Sequence, residues 1–415
     1  MPDAPSRQII VILGGSYGGI STAHYLLNHV IPKLPTPDLY QIILVSASSQ
    51  AMCRQACPRA MISDEYFDQK KLFVDIRSMF AHYPDGSFRF IHGTATAVTH
   101  TERIVSIALS PDEGNETLAY HALIIATGAS TPSPALGLNQ DVVHLRNSWS
   151  AIRQTLPHVK TIVIAGGGPA GVETAGELGE HLNGRHRGGW MSFGRNPNQP
   201  PNVHITLVTS GSRLLPALRP TLATKTERLL ADVGVSVIKS ARVQNVHPEN
   251  AVQEPVAATV TLEDGRSLPA DLYIPATGTK PNTDFLDPSL LASDGRVETN
   301  STLRVRNAGD RVYAIGDAAS YAARPSVHGI LQAVPILCAN IKRDLLLEGG
   351  GVGDGDGDSV FKEDTRETQI VPIGTAGGVG AMMGYRLPGF LVWLFKGRDY
   401  FLWTTKKIWS GEQWG

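Results

Sequence analysis

Five short, mostly apolar runs of the chain are each followed within two residues by a glycine. They occupy residues 8–13, 122–126, 161–165, 270–276 and 311–315. Runs of this length, rich in β-branched residues and bounded by glycine, predict buried strands. After the first and third runs the apolar positions change to helical spacing, which predicts helices that begin near residues 20 and 170. Strand, glycine turn and helix in that order indicate an α/β fold.

The central turn lies mid-chain, between the strand at 161–165 and the following helix. Gly166 permits a tight turn, Gly168 lets the backbone approach a pyrophosphate, and Gly171 lets helix and strand pack closely. The free N–H groups and positive end of the helix then favour the phosphates. A glycine turn alone is weak evidence. With a strand before it and a helix after it, this one predicts dinucleotide binding.

A second turn of this type follows the first strand. Its residues are Gly14, Gly15, Ser16, Gly18 and Gly19. Ser16 replaces the middle glycine, and its small side chain still admits a phosphate, somewhat less closely. The next strand, 41–45, ends in Ser46, where an acid that binds the ribose hydroxyls is expected. Either a hydroxyl makes that contact or the contact is not made at this position.

Two of the apolar strands end in Ala-Thr-Gly, which brings backbone close to a cofactor. Thr127 and Gly128 close the first of these strands, and Gly278 closes the second. Because each glycine turn is followed by such a strand, the chain contains an internal duplication of a dinucleotide-binding unit. The fifth strand leads to Gly316 and Asp317 at a helix start. Asp317 suits a hydrogen bond to a sugar-alcohol hydroxyl; a helix-capping role is the alternative.

The residues after strand 203–208 bear on the choice of nicotinamide nucleotide. That strand ends in Thr209 and Ser210, with Arg213 nearby and no acid. An Asp or Glu there favours NADH, whereas hydroxyls and an arginine leave NADPH open. We expect NADPH or dual use.

The segment that follows Ser46 carries two cysteines and an arginine. Cys53 and Cys57 are separated by three residues, whereas the redox pair of flavin disulfide reductases in this region has four between its cysteines. Free cysteines are commonly small buried hydrophobes, which is the favoured interpretation here. Arg59 is predicted to be either a surface charge or a partner for flavin phosphate or ring oxygens.

Three later segments differ from the rest in composition. Residues 183–202 predict a long surface insertion, and 349–359 a low-complexity linker. Four of the six tryptophans lie in the tail, 369–415, which also contains an unbroken apolar run at 390–395. The tail is either a helix pair packed on the body or on a dimer partner, or an apolar acceptor site whose aromatic rim touches membrane.

Composition limits the remaining classes of protein. A chain of 415 residues predicts two or three domains. A net charge of −1 and a pI near 6.9 give no field that would hold nucleic acid. Three cysteines are too few for a secreted disulfide framework, and no calcium or other metal site is predicted. The first residues show no signal peptide and no glycine for myristoylation, so the cytosol is the expected compartment.

With these motifs in place, the chain resembles flavoproteins of the pyridine nucleotide–disulfide oxidoreductase superfamily. Within it, the chain is similar to the apoptosis-inducing-factor-like group that includes ferroptosis suppressors, to type II NADH dehydrogenases, and more weakly to fungal members. The resemblance rests on the two glycine turns, the two Ala-Thr-Gly strands, Gly316-Asp317, and the tail motifs at 377–380 and 396–399. It implies two Rossmann-like dinucleotide-binding domains and a small C-terminal α/β segment.

The resemblance also implies the cofactors and their places. Residues 1–150 and 281–348 would form a discontinuous FAD domain, and 151–280 the NAD(P)H domain. A linker at 349–368 and an acceptor-side segment at 369–415 would follow. Glu173 matches a glutamate near nicotinamide and acceptor, although a first-turn acid that complements the helix dipole is the plainer interpretation. Lys396 matches a catalytic lysine, unless it is simply solvated, and Phe401 matches a substrate-side phenylalanine.

The implied reaction passes hydride from NAD(P)H to FAD and two electrons to a quinone-type acceptor. Two other functions are kept. One is a flavin oxidase, dehydrogenase or disulfide reductase of secondary metabolism that uses Cys53 and Cys57. The other is a non-catalytic death effector that binds nucleic acid, which the near-neutral charge argues against. Expected partners are the small acceptor, a weak peripheral membrane contact on a lipid droplet or the mitochondrial outer surface, and a homodimer.

Overall fold

The computed structural model describes residues 7–111, 114–185, 200–348 and 357–415. The strands are β1 Gln8–Leu13, β2 Tyr40–Ser46, β3 Gln50–Met52, β4 Phe73–Asp75, β5 Phe88–Thr99, β6 Ile104–Leu109, β7 Asn115–Ala119, β8 Ala122–Ile125, β9 Ala129–Ser130, β10 Thr161–Ala165, β11 His204–Val208, β12 Val235–Ile238, β13 Val243–His247, β14 Ala258–Leu262, β15 Ser267–Ala270, β16 Leu272–Pro275, β17 Lys280–Pro281, β18 Val312–Ala314, β19 Gln369–Pro372, β20 Gly378–Met382 and β21 Tyr385–Arg386. The helices are α1 Tyr17–Tyr25, α2 Cys57–Ala60, α3 Gln69–Leu72, α4 Ile76–Met79, α5 Val142–Thr155, α6 Pro169–Asn183, α7 Pro220–Ala231, α8 Val327–Glu348, α9 Gly389–Val392 and α10 Leu402–Trp409. Two π-helical turns, Leu26–Val30 and Trp393–Gly397, extend α1 and α9.

The first sheet has seven strands in the order β18-β8-β1-β2-β5-β6-β7. Strand β1 lies between β2 and β8 and is parallel to both, and β18 pairs in parallel with β8. The side chains of β8 and most of β1 are fully buried, because both faces of these strands are covered. A strand from residue 312 onward thus joins a sheet built mainly before residue 126.

The second sheet repeats this plan in the middle of the chain. Its four strands, in the order β12-β11-β10-β16, are all parallel. A three-stranded antiparallel sheet, β13-β14-β15, is attached to it through the short connection from β15 to β16. The first sheet is parallel from β18 to β5 and antiparallel at β6 and β7, and the second is fully parallel. Each has a strand, glycine turn and helix at its centre, which confirms the predicted α/β class.

Helix α5 bears on one predicted domain boundary. The boundary at residue 150 falls inside this helix, which begins where the Asp141 carboxylate accepts a hydrogen bond from the Val143 backbone N–H at 2.7 Å. The helix buries Leu145 and Trp149 in the same apolar core as strand β10. We therefore propose that the middle unit begins near Asp141. The chain also crosses between the units at β9 and β17, which pair with each other.

Part of the predicted linker is packed on the first unit. Residues 349–356 lie outside the described residues, as do 186–199 of the predicted insertion. After residue 356, Asp358 forms an ion pair with Arg304 at 2.7 Å. Phe361 is buried in the core that surrounds α1 and α8. The chain from 357 onward is therefore attached through both charge and apolar contact, contrary to the prediction of a linker up to 368.

The tail packs on the body of the protein. Strands β19, β20 and β21 form an antiparallel sheet. Its Val371 and Val379, and Ile373 directly after β19, belong to the same core as α6. Helix α10 buries Ile408 and Trp409 against α1. None of the helices in the described ranges has the length and apolar character needed to cross a bilayer.

Candidate functional site

A cavity of about 1770 Å³ runs between the two glycine turns. Pockets for single small molecules typically measure roughly 300–1,000 Å³, so this space is large enough for two extended nucleotides. The predicted site residues that line it are Gly14, Gly15, Ser16, Gly18, Ser46, Thr127, Gly128, Gly166, Gly168, Glu173, Thr209, Arg213, Gly278, Gly316, Asp317 and Lys396. Segments far apart in the sequence therefore meet around a shared cavity.

The two turns need glycine for the same steric reason. A Cβ on Gly14 would lie 2.1 Å from the Ala126 carbonyl oxygen, and one on Gly166 would lie 2.0 Å from that of Ala276. Both glycines also have positive φ, near 119° and 127°. The first residue of each turn thus packs directly on an Ala-Thr-Gly strand. This close packing leaves the N-terminal ends of α1 and α6 at the cavity, as a bound pyrophosphate requires.

Gly19 and Gly171 are absent from the described cavity lining. A Cβ on Gly19 would lie 1.8 Å from the carbonyl oxygen of Gly14, and one on Gly171 would lie 1.9 Å from that of Gly166. Both residues allow helix and turn to pack closely, as was predicted for Gly171. The cofactor contact predicted for Gly19 and Gly171 stays a prediction.

Near the first glycine turn, where FAD is predicted to bind, β2 ends in Ser46 and not in an acid. Ser46 accepts a hydrogen bond from the Ser48 backbone N–H at 3.3 Å and faces the cavity. Asp141, which sequence analysis missed, also lines this end, and its carboxylate lies 3.3 Å from the His92 ring. Its position at the start of α5 gives no local signal of a cofactor contact. A carboxylate is therefore available at this end from a different element.

Arg59 does not have either of its predicted roles. Its guanidinium is buried and makes two hydrogen bonds of 2.8 Å to the carboxylate of Glu177. It also donates to the Gly397 carbonyl at 2.7 Å. Arg59 is absent from the described cavity lining because its donors are used to join α2, α6 and the tail. The prediction of a cofactor-binding or surface arginine is therefore wrong.

Arg54 is the arginine of this segment that faces the cavity. Its Nη1 lies 3.3 Å from Asp317 Oδ2 and 3.4 Å from the Ala129 carbonyl oxygen. Both side chains are about one-third exposed. Sequence analysis missed Arg54 because two arginines lie five residues apart and no local pattern distinguishes them. The pair places a cation and an anion together at the predicted site of the FAD sugar-alcohol.

Glu173 and Lys396 form a buried ion pair on the cavity wall. Lys396 Nζ lies 2.5 Å from Glu173 Oε1, and the side chains are only 8% and 4% exposed. Burial raises the pKa of Glu173 to about 7, although the lysine acts in the opposite direction. Neither plainer interpretation applies, since Lys396 is buried and Glu173 lies beyond the first turn of α6.

Phe401 lies next to this pair but is absent from the described cavity lining. The Lys396 ammonium is 5.8 Å from the Phe401 ring centroid and 5.5 Å from that of Tyr400. Phe401 has a left-handed backbone, with φ of 68°, where the chain turns into α10. In this structure Phe401 is therefore a neighbour of Lys396 rather than a wall of the site.

Cys53 and Cys57 are free and fully buried, and neither lines the cavity described here. Burial raises the pKa of Cys53 to about 11 and that of Cys57 to about 12. A reactive thiol needs its thiolate form near neutral pH and access to its substrate. These two side chains have neither property.

The fold and this cavity define a flavoprotein oxidoreductase whose cofactors are FAD and NAD(P)H. The chain belongs to the pyridine nucleotide-disulphide oxidoreductase family, whose model matches residues 8–335. It is 59% identical to oxidoreductase phnG of Penicillium herquei over 418 residues, covering 99% of this chain and 98% of the relative.

Two further comparisons confirm the predicted resemblance. Ferroptosis suppressor protein 1 of Homo sapiens is 26% identical over 412 residues, covering 96% of this chain and 95% of that protein. The structure of NDH2 from Plasmodium falciparum in complex with NADH matches with a TM-score of 0.67 at 14% identity. That match covers 98% of this chain and 99% of the other, so the fold is shared over nearly the whole length.

Proposed function

We propose that this oxidoreductase transfers two electrons from NAD(P)H through FAD to a quinone-type acceptor. The observation that carries the proposal is the buried pair of Glu173 and Lys396 on the wall of the cavity. FAD would lie along the first glycine turn to Asp317, and the nicotinamide nucleotide along the second. FAD, when bound, accepts hydride and passes on electrons; the protein positions the reactants and supplies protons.

Lys396 suits the reduction of a carbonyl acceptor. A quinone gains two electrons and two protons, so negative charge develops on its oxygens. The Lys396 ammonium can donate a hydrogen bond and then a proton to such an oxygen. Glu173 has a pKa of about 7, so it can hold or release a proton near neutral pH and restore the lysine. The balanced reaction is NAD(P)H, a proton and quinone giving NAD(P)⁺ and hydroquinone.

The alternative functions have less support. A disulfide reductase using Cys53 and Cys57 conflicts with the burial and raised pKa of both thiols. An oxidase that uses oxygen needs only the flavin, so it is an outcome of the acceptor experiment below. A nucleic-acid-binding effector conflicts with a net charge of −1.

We also propose a weak peripheral contact with an anionic membrane. Six of the ten exposed large apolar side chains of the described residues lie between residues 383 and 403, and we call this set the C-terminal apolar surface. Its members are Met383, Tyr385, Phe390, Trp393, Leu394 and Trp403. Exposed Arg398, Lys406 and Lys407 lie in the same segment. Apolar side chains near cations favour reversible binding to a lipid surface, and a lipid droplet or the mitochondrial outer surface is the proposed location.

The electron acceptor is tested by separating the two half-reactions. Under anaerobic stopped flow, NAD(P)H should reduce the flavin of wild type and of Lys396→Met at similar rates. Reoxidation by a short-chain ubiquinone analogue should be slower in Lys396→Met by roughly 10²-fold, the usual scale of general acid catalysis. Lys407→Met, an exposed change in the same segment, serves as the matched control.

Two results would contradict the proposal. In one, the reduced wild-type enzyme is reoxidised by oxygen or a disulfide but not by the quinone. In the other, Lys396→Met leaves quinone reoxidation unchanged. Point substitution is preferred to deletion after Leu387, because deletion would strip the buried side chains of Tyr400 and Trp409 from the core.

A further inference from the structure

Two loops of the second unit form one rim of the cavity. The first follows β11 and contains Thr209 and Gly211; the second follows β12 and contains Ser240 and Ala241. The Ser240 backbone N–H donates to the Gly211 carbonyl at 3.0 Å, and the Ala241 N–H donates to that of Thr209 at 3.0 Å. These two bonds hold the loops side by side. Side chains on both loops can therefore reach one ligand.

Each loop contributes one arginine to the cavity wall, Arg213 from the first and Arg242 from the second. The cavity-lining residues described in these loops, 208–213 and 241–243, include no carboxylate. Thr209 occupies the position where an acid would bind the ribose hydroxyls of NADH. A Cβ on Gly167 would lie 2.4 Å from the Thr209 hydroxyl, which shows how closely this side chain packs on the glycine turn.

Both guanidinium groups retain donors for a ligand. Arg213 Nη2 donates to the Pro216 carbonyl at 2.9 Å. Arg242 Nε lies 3.5 Å from Glu263, and both of those side chains are more than half exposed. An arginine has five N–H donors and binds phosphate oxygens through a planar fork. An exposed pair at such a distance is weak, so a phosphate dianion can compete with Glu263.

We propose that Arg213 and Arg242 together bind the 2′-phosphate of NADPH, and that Arg242 is a specificity-determining residue. The inference rests on the proposed position of the nicotinamide nucleotide along the second glycine turn. It goes beyond the prediction from Arg213 alone. It identifies the preferred reductant as NADPH because two cations and no lining carboxylate face the same rim.

The test is nucleotide binding, measured without turnover or acceptor. The FAD-loaded protein is titrated calorimetrically with 2′,5′-ADP, which carries the 2′-phosphate, and with 5′-AMP, which lacks it. Arg242→Ala should weaken 2′,5′-ADP binding by roughly tenfold or more and change 5′-AMP binding less than about twofold, as expected for a lost charge-assisted hydrogen bond. Arg213→Ala should act in the same way, and Arg242→Lys should fall between.

Lys239→Ala is the matched control, because it removes a nearby positive charge that pairs with Glu227 and is outside the described lining. Unchanged binding of 2′,5′-ADP to Arg242→Ala would overturn the inference. So would an equal loss for both nucleotides, since that would place Arg242 on the adenosine or its 5′-phosphate. FAD content verifies folding of each variant. Failure of quinone reduction would leave this result unaffected, so the two proposals fail separately.

Discussion

Arg59 donates two hydrogen bonds to the carboxylate of Glu177, and the two residues lie 118 positions apart in the chain. Tyr400 donates to the same carboxylate at 2.8 Å, and the Gly397 carbonyl accepts from Arg59. One buried ion pair thus joins the first unit, helix α6 and the tail. Because Glu173 is one helical turn before Glu177 and Lys396 is next to Gly397, this connection also positions the proposed proton donor.

We expect Arg59→Ala to destabilise the protein strongly. Loss of Arg59 leaves the Glu177 carboxylate buried without a cationic partner, which costs about 3–5 kcal/mol of unfolding free energy. The measurement is urea unfolding followed by tryptophan fluorescence. Arg89→Ala is the matched control, since Arg89 also forms two bonds with a glutamate, Glu116, but at the surface. Its loss should cost about 1 kcal/mol or less. Equal effects of the two changes would contradict the assigned role of Arg59.

FAD retention should depend on Asp317 and Arg54. Asp317→Ala should weaken FAD binding by about 1.5–3 kcal/mol through loss of a charge-assisted hydrogen bond. Flavin release during dilution, measured by fluorescence, gives the affinity. If Arg54 acts only by orienting Asp317, FAD should bind the double variant Arg54→Ala/Asp317→Ala as tightly as it binds Asp317→Ala. Additive losses would instead assign Arg54 its own contact with the cofactor. A wild-type protein that binds no FAD on reconstitution would end the flavoprotein assignment.

Glu173 should change how the free energy of unfolding depends on pH. Burial raises the pKa of this carboxyl from 4.5 to about 7. Its protonated form therefore favours folding below the unfolded pKa, and that contribution is lost as pH rises toward 7. Between about pH 4.5 and 7 the wild type should lose unfolding free energy relative to Glu173→Gln. Glu254→Gln, at an exposed position, should run parallel to wild type. Parallel curves for all three proteins would argue against a raised pKa.

The three cysteine thiols should be unreactive in the native enzyme. Native enzyme, before and after reduction by NADPH, should react with an aromatic disulfide reagent far more slowly than denatured enzyme, which exposes all three thiols. The variant with Cys53→Ala and Cys57→Ala should keep quinone turnover. New thiols that appear after NADPH reduction would instead indicate a disulfide reductase.

The C-terminal apolar surface should bind anionic vesicles weakly and reversibly. Trp403→Ala and Phe390→Ala should each reduce flotation with vesicles containing phosphatidylglycerol, because each removes about a kcal/mol or more of apolar contact. Vesicles of phosphatidylcholine alone should bind less. Val143→Ala, a change at an exposed apolar residue outside this surface, is the control. Two results together would instead identify the surface as a subunit interface. The wild type would not bind vesicles, and Trp403→Ala would abolish a dimer that ultracentrifugation detects in the wild type.

Local patterns in the sequence were sufficient for the buried parallel strands β1, β2, β8, β10, β11, β16 and β18, the two glycine turns and the internal duplication. Backbone geometry explains this success, since a buried strand must be apolar throughout and a turn in contact with a carbonyl excludes a Cβ. The turn positions of Gly14 and Gly166 could therefore be recognised from the residue type alone. Asp317 could be predicted in the same way, because it directly follows a strand and glycine.

The partners of the charged side chains were decided only by the tertiary structure. Glu173 and Lys396 are 223 residues apart, and their pairing depends on how the tail folds over α6. Arg54 faces the cavity while Arg59 is buried, a distinction that follows from the packing of α2 and not from residue type. A buried charge needs an oppositely charged or hydrogen-bonding partner close to it in the folded structure. The positions of charged residues along the chain do not identify which of them will be that partner.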